Sequence, residues 1–183
     1  MTIRAFISVD LDRNERIVEF ATALKRAEPT LKVVDPSLIH ITLKFLGETD
    51  EEKLPAIAEA LREAAKGIPP FTISFKGAGA FPSMNRIRVV WVGVNDTLPL
   101  ATIAGRLDER LADLGITREA RPFAPHITLA RARSDAPQPS LRQIIHDRGR
   151  VDFGTQEVKA VRLKKSILTR CGPEYHTIEE VML

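Results

Sequence analysis

This 183-residue sequence predicts an α+β fold: two related lobes, mainly antiparallel sheets, flanking helices and a central cleft. Three observations carry that expectation. Strand-like and helix-like segments alternate, but several strand-like segments follow one another directly, which favours antiparallel pairing. The order strand, helix, short strand, histidine strand, helix, strand occurs twice, over about residues 3–78 and 87–158. The tetrapeptide His-Ile-Thr-Leu stands at His40 and again at His126. Only four histidines are present, and two of them head it. A chance repeat of three specified followers is on the order of one in ten thousand per histidine. We therefore read residues 1–183 as one bilobal domain, its duplicated halves followed by C-terminal strands.

Residues 3–10 alternate as a strand, and Asn14 to Ala27 places Ile17, Ala21 and Leu24 at helical spacing before Pro29 stops it. A short strand from Leu31 to Val34 and an Asp35-Pro36-Ser37 turn lead into the strand from His40 to Gly47. The second helix is expected from about Lys53, with Pro55 in its first turn, to Lys66, and Gly67 just past its end. Phe71 to Ala78 reads as a strand, and the glycine-rich stretch Gly77 to Ser83 as the crossing between lobes. An apolar strand, Ile87 to Val94, carries Trp91. Pro99 opens a helix that Gly115 closes, with Ile103, Ala104, Leu107, Leu111 and Leu114 on one face. A short strand near Ile116 to Ala120 and a Pro122/Pro125 turn precede the His126 strand. Ser134 to Ser140 reads as a loop and Leu141 to Arg148 as a short helix. Three strands follow, Val151–Val158, Val161–Thr169 and Tyr175–Met182, the last two joined by the Cys171-Gly172-Pro173-Glu174 turn.

Composition narrows the function classes. Hydrophobic residues make up 44%, enough for a substantial core. No apolar run approaches the roughly 20 residues that span a bilayer. The N-terminal residues read as a strand rather than a signal peptide. A single cysteine, Cys171, excludes an intramolecular disulfide and a cysteine-built metal site, which fits a cytoplasmic location. The net charge of +3 permits a polyanionic partner without identifying one.

The duplicated motif carries the chemistry. Alternation along a strand puts His40, Thr42 and Lys44 on one face and Ile41, Leu43 and Phe45 on the core face. Thr128 stands to His126 as Thr42 stands to His40. Two imidazoles, ordinarily titrating near 6.5, supply a general base for an attacking oxygen and a general acid for a leaving oxygen. Hydroxyls beside them bind non-bridging phosphate oxygens. This phosphodiester chemistry needs no metal or other cofactor. A two-histidine metal site is the competing reading, but no further ligand stands in register with either histidine. Lys44 is either a phosphate contact or a solvated lysine. Arg131 points away from His126 by strict alternation and reaches the groove only if the strand bends. Arg118, Arg121 and Arg133 add positive charge nearby. His146 and His176 read as surface or structural residues, and Cys171 as a free thiol.

The chain resembles the 2H phosphoesterase superfamily, and within it the RNA 2′,3′-cyclic phosphodiesterases, once named 2′-5′ RNA ligases. The resemblance rests on Ile3-Arg-Ala-Phe-Ile, Leu38-Ile-His-Ile-Thr-Leu-Lys-Phe-Leu-Gly47, Phe81-Pro82 and Arg88-Val-Val-Trp-Val-Gly-Val94. It continues through Arg121-Pro-Phe-Ala-Pro-His-Ile-Thr-Leu-Ala-Arg131 and Gly172-Pro-Glu-Tyr175. It implies a pseudo-twofold fold, partly exchanged strands and two facing His-x-Thr motifs. It further implies His40 as general acid, His126 as general base, and Thr42, Thr128 and Arg131 on phosphate. Phe81 falls where the family places an aromatic near the nucleoside, a role shared with plain core packing. The implied substrate is RNA with a 2′,3′-cyclic end, or a small cyclic nucleotide; nothing in the sequence suggests an obligate oligomer or a membrane partner, so a monomer is expected. The expected product is a 2′-phosphomonoester. A reversible 2′-5′ ligase and an RNA-end-binding protein without turnover are the alternatives.

Overall fold

The computed structural model describes residues 1–133, 138–170 and 172–183. Cys171 and most of the expected Ser134–Ser140 loop lie outside them; the last two residues of that stretch, Pro139 and Ser140, open a helix. The strands are β1 (Thr2–Asp10), β2 (Lys32–Val33), β3 (His40–Asp50), β4 (Phe71–Ser83), β5 (Arg86–Asn95), β6 (His126–Arg131), β7 (Asp152–Val158), β8 (Ala160–Thr169) and β9 (Gly172–Met182). The helices are α1 (Glu15–Ala27), α2 (Leu54–Ala65), α3 (Leu98–Ala112) and α4 (Pro139–Asp147). The strands form one antiparallel sheet in the order β7-β4-β5-β6-β3-β1-β8-β9, with β2 added against β6.

Local chemistry marks where each helix begins. The Asn14 side chain accepts from Ile17 N at 3.2 Å and donates to Phe153 O at 2.8 Å, so one residue caps α1 and ties it to β7. Proline sits in the first turn of α2, α3 and α4, where its missing N–H costs nothing. Ile17, Phe20 and Leu24 of α1 are fully buried, as are Ile57 and Leu61 of α2 and Ile103 and Leu107 of α3. These side chains cover one face of the sheet and share a core with Ile41, Leu43, Ile127 and Leu129. Each such buried side chain contributes roughly 1.5–3 kcal/mol of transfer free energy.

Two expectations are corrected here. Gly77 to Ser83 is no crossing between lobes; it is the end of β4, which turns at Met84-Asn85 into β5 with Ala80 opposite Val90. The small residues serve packing instead: a Cβ on Gly79 would overlap the Trp91 ring. No strand forms at residues 116–120. That segment is held by side chains, with Lys44 Nζ donating to Thr117 O and Glu119 N donating to Asp108 Oδ1.

The duplicated halves of the sequence are not the halves of the sheet. β4 joins β5, β6 and β7, while β8 and β9 join β1 and β3. The helices pair across the duplication as well, α1 with α4 and α2 with α3. Every half of the molecule therefore draws on both ends of the chain, and β3 meets β6 at its centre.

Candidate active site

Strands β3 and β6 run antiparallel with Ile41 opposite Ile127. Both isoleucines are fully buried on the helix side. Continuing that register by one residue sets His40 across from Thr128 and Thr42 across from His126 on the other face. Two copies of one motif thus generate a pseudo-twofold rectangle of two imidazoles and two hydroxyls. These four side chains line a cleft of about 800 Å³ with Arg4, Phe6, Lys32, Phe45, Arg131, Ser166 and Tyr175.

Both imidazoles are fixed by the segment that leads into their strand. His40 Nδ1 lies 2.8 Å from Leu38 O, and His126 Nδ1 lies 2.9 Å from Ala124 O. A carbonyl oxygen only accepts, so each Nδ1 carries a proton and donates. The distal Nε2 of each neutral ring is then an acceptor, free to take a proton. Rings complete the walls. The His40 ring packs at 5.0 Å from Phe6 and 5.4 Å from Tyr175, and the His126 ring at 5.1 Å from Phe81. Phe81 also touches Trp91 at 5.4 Å, so its ring spans from the apolar wall to the second histidine.

The electrostatics differ between the two rings. Burial holds the His40 imidazole below its ordinary value, against the hydrogen bond to Leu38 O, which favours the cation; Lys164 and Arg131 lower it further and Asp10 raises it. Asp10 stands opposite His40 in the register, and Lys164 Nζ donates to both its carboxylate oxygens at 2.6 Å. Burial pushes the Tyr175 phenol up, so it remains a protonated group beside His40. Among the described residues, no three His, Cys, Asp or Glu side chains cluster as metal ligands do.

Strict alternation misplaces two basic residues, for one reason. Ile7 pairs with Lys44 and Ser8 with Thr42, leaving Leu43 as an extra residue in β3. Val90 pairs with Ala130 and Trp91 with Thr128, leaving Leu129 extra in β6. A bulge inverts the facing of everything after it. Lys44 therefore leaves the face of His40 and turns to the helices, 2% exposed, donating to Asp108 Oδ1 at 2.6 Å. Phe45, expected in the core, instead lines the cleft and is 47% exposed. By the same shift Arg131 comes round to the cleft side with His126 and Thr128. A second irregularity follows at Leu46, where Gly47 takes φ +70°.

Of the residues singled out from sequence, the fold brings His40, Thr42, His126, Thr128 and Arg131 together, sets Phe81 beside His126, and removes Lys44. His146 is 80% exposed next to Asp147, and His176 is half exposed next to Glu174. Sequence reasoning passed over Asp10 and Lys164, which carry no motif and reach His40 only through strand pairing, and gave no role to Phe6, although it quoted Ile3-Arg-Ala-Phe-Ile. No helix is long and apolar enough to cross a membrane among the described residues.

Residues 14–165 match the family described as the 2′-5′ RNA ligase superfamily. The chain is 37% identical over 98% of its length to a Methanothermobacter thermautotrophicus protein named RNA 2′,3′-cyclic phosphodiesterase, and covers 98% of that protein. A crystal structure of a Thermus thermophilus protein superposes with a TM-score of 0.81 at 30% identity, covering 98% of this chain and 97% of the other. Escherichia coli LigT, crystallised with 3′-AMP, gives 0.75 at 26% identity, covering 100% and 99%. The paired His-x-Thr strands thus sit in a fold and a sequence shared along almost the whole chain, and the protein belongs to the 2′-5′ RNA ligase superfamily.

Proposed function

We propose that this protein is an RNA 2′,3′-cyclic phosphodiesterase that opens cyclic phosphate ends of RNA to 2′-phosphomonoesters, with two histidines and no metal. The observation that carries the reading is the pair of imidazoles on opposed strands, each with Nδ1 donating to its own backbone and Nε2 left to exchange protons. The names of relatives aligned over nearly their whole length support the same activity. His126 takes the proton of water as it attacks phosphorus, and His40 gives its proton to the departing ribose 3′ oxygen. In-line displacement needs base and acid on opposite sides of phosphorus, and imidazoles at opposite corners of the paired β3–β6 face are compatible with that need. Thr42 and Thr128 donate to the non-bridging oxygens, and Arg131 offsets the growing charge. Phe81, beside His126, packs against the nucleoside. Burial, Lys164 and Arg131 lower the His40 value, and the negative charge of a bound phosphate opposes that shift, favouring the imidazolium that the acid role needs.

The test is incubation of an oligoribonucleotide bearing a 2′,3′-cyclic phosphate in EDTA, with phosphorus NMR of the product. We expect a 2′-phosphate and a free 3′-hydroxyl at an undiminished rate. A 3′-phosphate as sole product would reverse the assignment of acid and base. Activity lost to EDTA and restored by zinc or manganese would replace the scheme with a metal-assisted one. Tight binding of the cyclic end without product would make the protein an RNA-end binder.

A further inference from the structure

A cyclic phosphate alone leaves much of the 800 Å³ cleft unfilled. One limb of it is built unlike the rest. The bulge at Leu43 turns Phe45 onto the cleft side, three residues beyond Thr42 and hence roughly 10 Å along the strand. The Arg4 guanidinium lies 5.1 Å from the centroid of the Phe45 ring. Ser166 stands beside Arg4 on the neighbouring strand and lines the same limb. Arg4 makes no ion pair among the described residues, although Glu48 is its cross-strand neighbour on β3. Glu174, which like Asp35 lines the cleft, is 3.9 Å from His176.

An aromatic ring left 47% exposed in a cleft forgoes much of the burial that a core position would give it. A ring and a guanidinium side by side form a flat surface on which a nucleobase stacks, and the guanidinium edge retains N–H donors for a phosphodiester. The direction of the chain is fixed by chemistry. In a 2′,3′-cyclic end both the 2′ and 3′ oxygens are held by phosphorus, so the polymer leaves only through the 5′ oxygen.

We infer that Arg4 and Phe45 form a subsite for the nucleotide on the 5′ side of the cyclic end, Phe45 stacking its base and Arg4 binding its phosphodiester. This rests on the proposed hydrolysis and makes the substrate class oligoribonucleotide rather than cyclic mononucleotide. The experiment compares kcat/KM for 2′,3′-cyclic AMP and for a trinucleotide ending in the same cyclic phosphate. In Arg4→Gln and in Phe45→Leu, the trinucleotide-to-mononucleotide ratio should fall about tenfold, mainly through KM. A ratio equal to that of the unaltered protein would overturn the subsite while leaving hydrolysis in place. Should the unaltered protein hydrolyse neither substrate, the hydrolase reading fails and binding still decides the subsite. A fluorescent trinucleotide 2′-phosphate should then bind about tenfold more weakly to both variants. Its dependence on salt should flatten by about 0.7 in log–log slope for Arg4→Gln and stay unchanged for Phe45→Leu. Equal binding by all three proteins would overturn it.

Discussion

Strands β3 and β6 carry the same tetrapeptide and the same bulge, yet their histidines have different surroundings. His40 is enclosed by Phe6 and Tyr175 and lies across from the Asp10–Lys164 ion pair. Among the described residues His126 has one ring contact, Phe81, and its backbone partner lies in an exposed loop. Beyond the bulge the sequences part. Lys44 and Phe45 occupy the places that Ala130 and Arg131 occupy in the other copy. Backbone geometry that duplicated as a unit thus presents an aromatic to one limb of the cleft and a cation to the other. A symmetric frame with asymmetric fittings suits a reaction in which one imidazole must give a proton and the other must take one.

The largest effect expected from disturbing this pairing is on the histidines themselves. His40→Ala and His126→Ala should each lower turnover by at least ~100-fold, the ordinary worth of a general acid or base. Circular dichroism should show both folded, since neither side chain belongs to the core. His146→Ala and His176→Ala are the controls and should turn over as the unaltered protein does. Near-normal turnover in either His40→Ala or His126→Ala would end the two-histidine scheme.

The residues after the bulge come next. Arg131→Met should cost about 100-fold in kcat/KM, as for loss of one donor to developing charge. Lys44→Met should leave KM where it is and instead lower stability, because Asp108 and Thr117 O lose a buried donor. Removing one partner of a fully buried pair costs about 3–5 kcal/mol. Asp108 is 24% exposed here, so about 2 kcal/mol is expected, read from the urea midpoint at constant slope. A changed KM with an unchanged midpoint would return Lys44 to the cleft.

That contrast also marks where the sequence was legible. The repeated tetrapeptide located four side chains of the site because a motif of period two needs only local alternation. It failed one residue later, since a bulge leaves no mark in Leu-Lys-Phe alone. Comparing the copies would have shown it: Ala130, a small apolar residue, stands where Lys44 stands, which places that position on the buried side. The strand exchange was hidden for another reason. Element order records the duplication, while pairing is decided by connections, and the Met84-Asn85 turn binds β4 to β5 more tightly than its place in the repeat implies. Asp10 and Lys164 are 154 residues apart and meet only because β1 lies between β3 and β8.

The smallest expected effect is the most specific to the difference between the two copies. His40 is held below the ordinary imidazole value by burial first, with Lys164 and Arg131 adding to it. In an unfolded chain the same ring titrates near 6.5. Between its folded value and about 6.5 the unfolded state binds more protons, so this residue's contribution to stability rises with pH across that window. It is complete above about 6.5 and is lost as pH falls through the folded value. Ring NMR should show His40 titrating below the ordinary imidazole value. Inorganic phosphate in the cleft should raise its midpoint, because an anion beside the ring favours the imidazolium. Lys164→Met should raise it too, by removing a cation and leaving Asp10 unpaired. The residual activity of His126→Ala should then fall with rising pH along a single limb, as the proton on His40 is lost. The opposite slope, activity growing as His40 loses its proton, would make His40 the base and exchange the roles of the two strands.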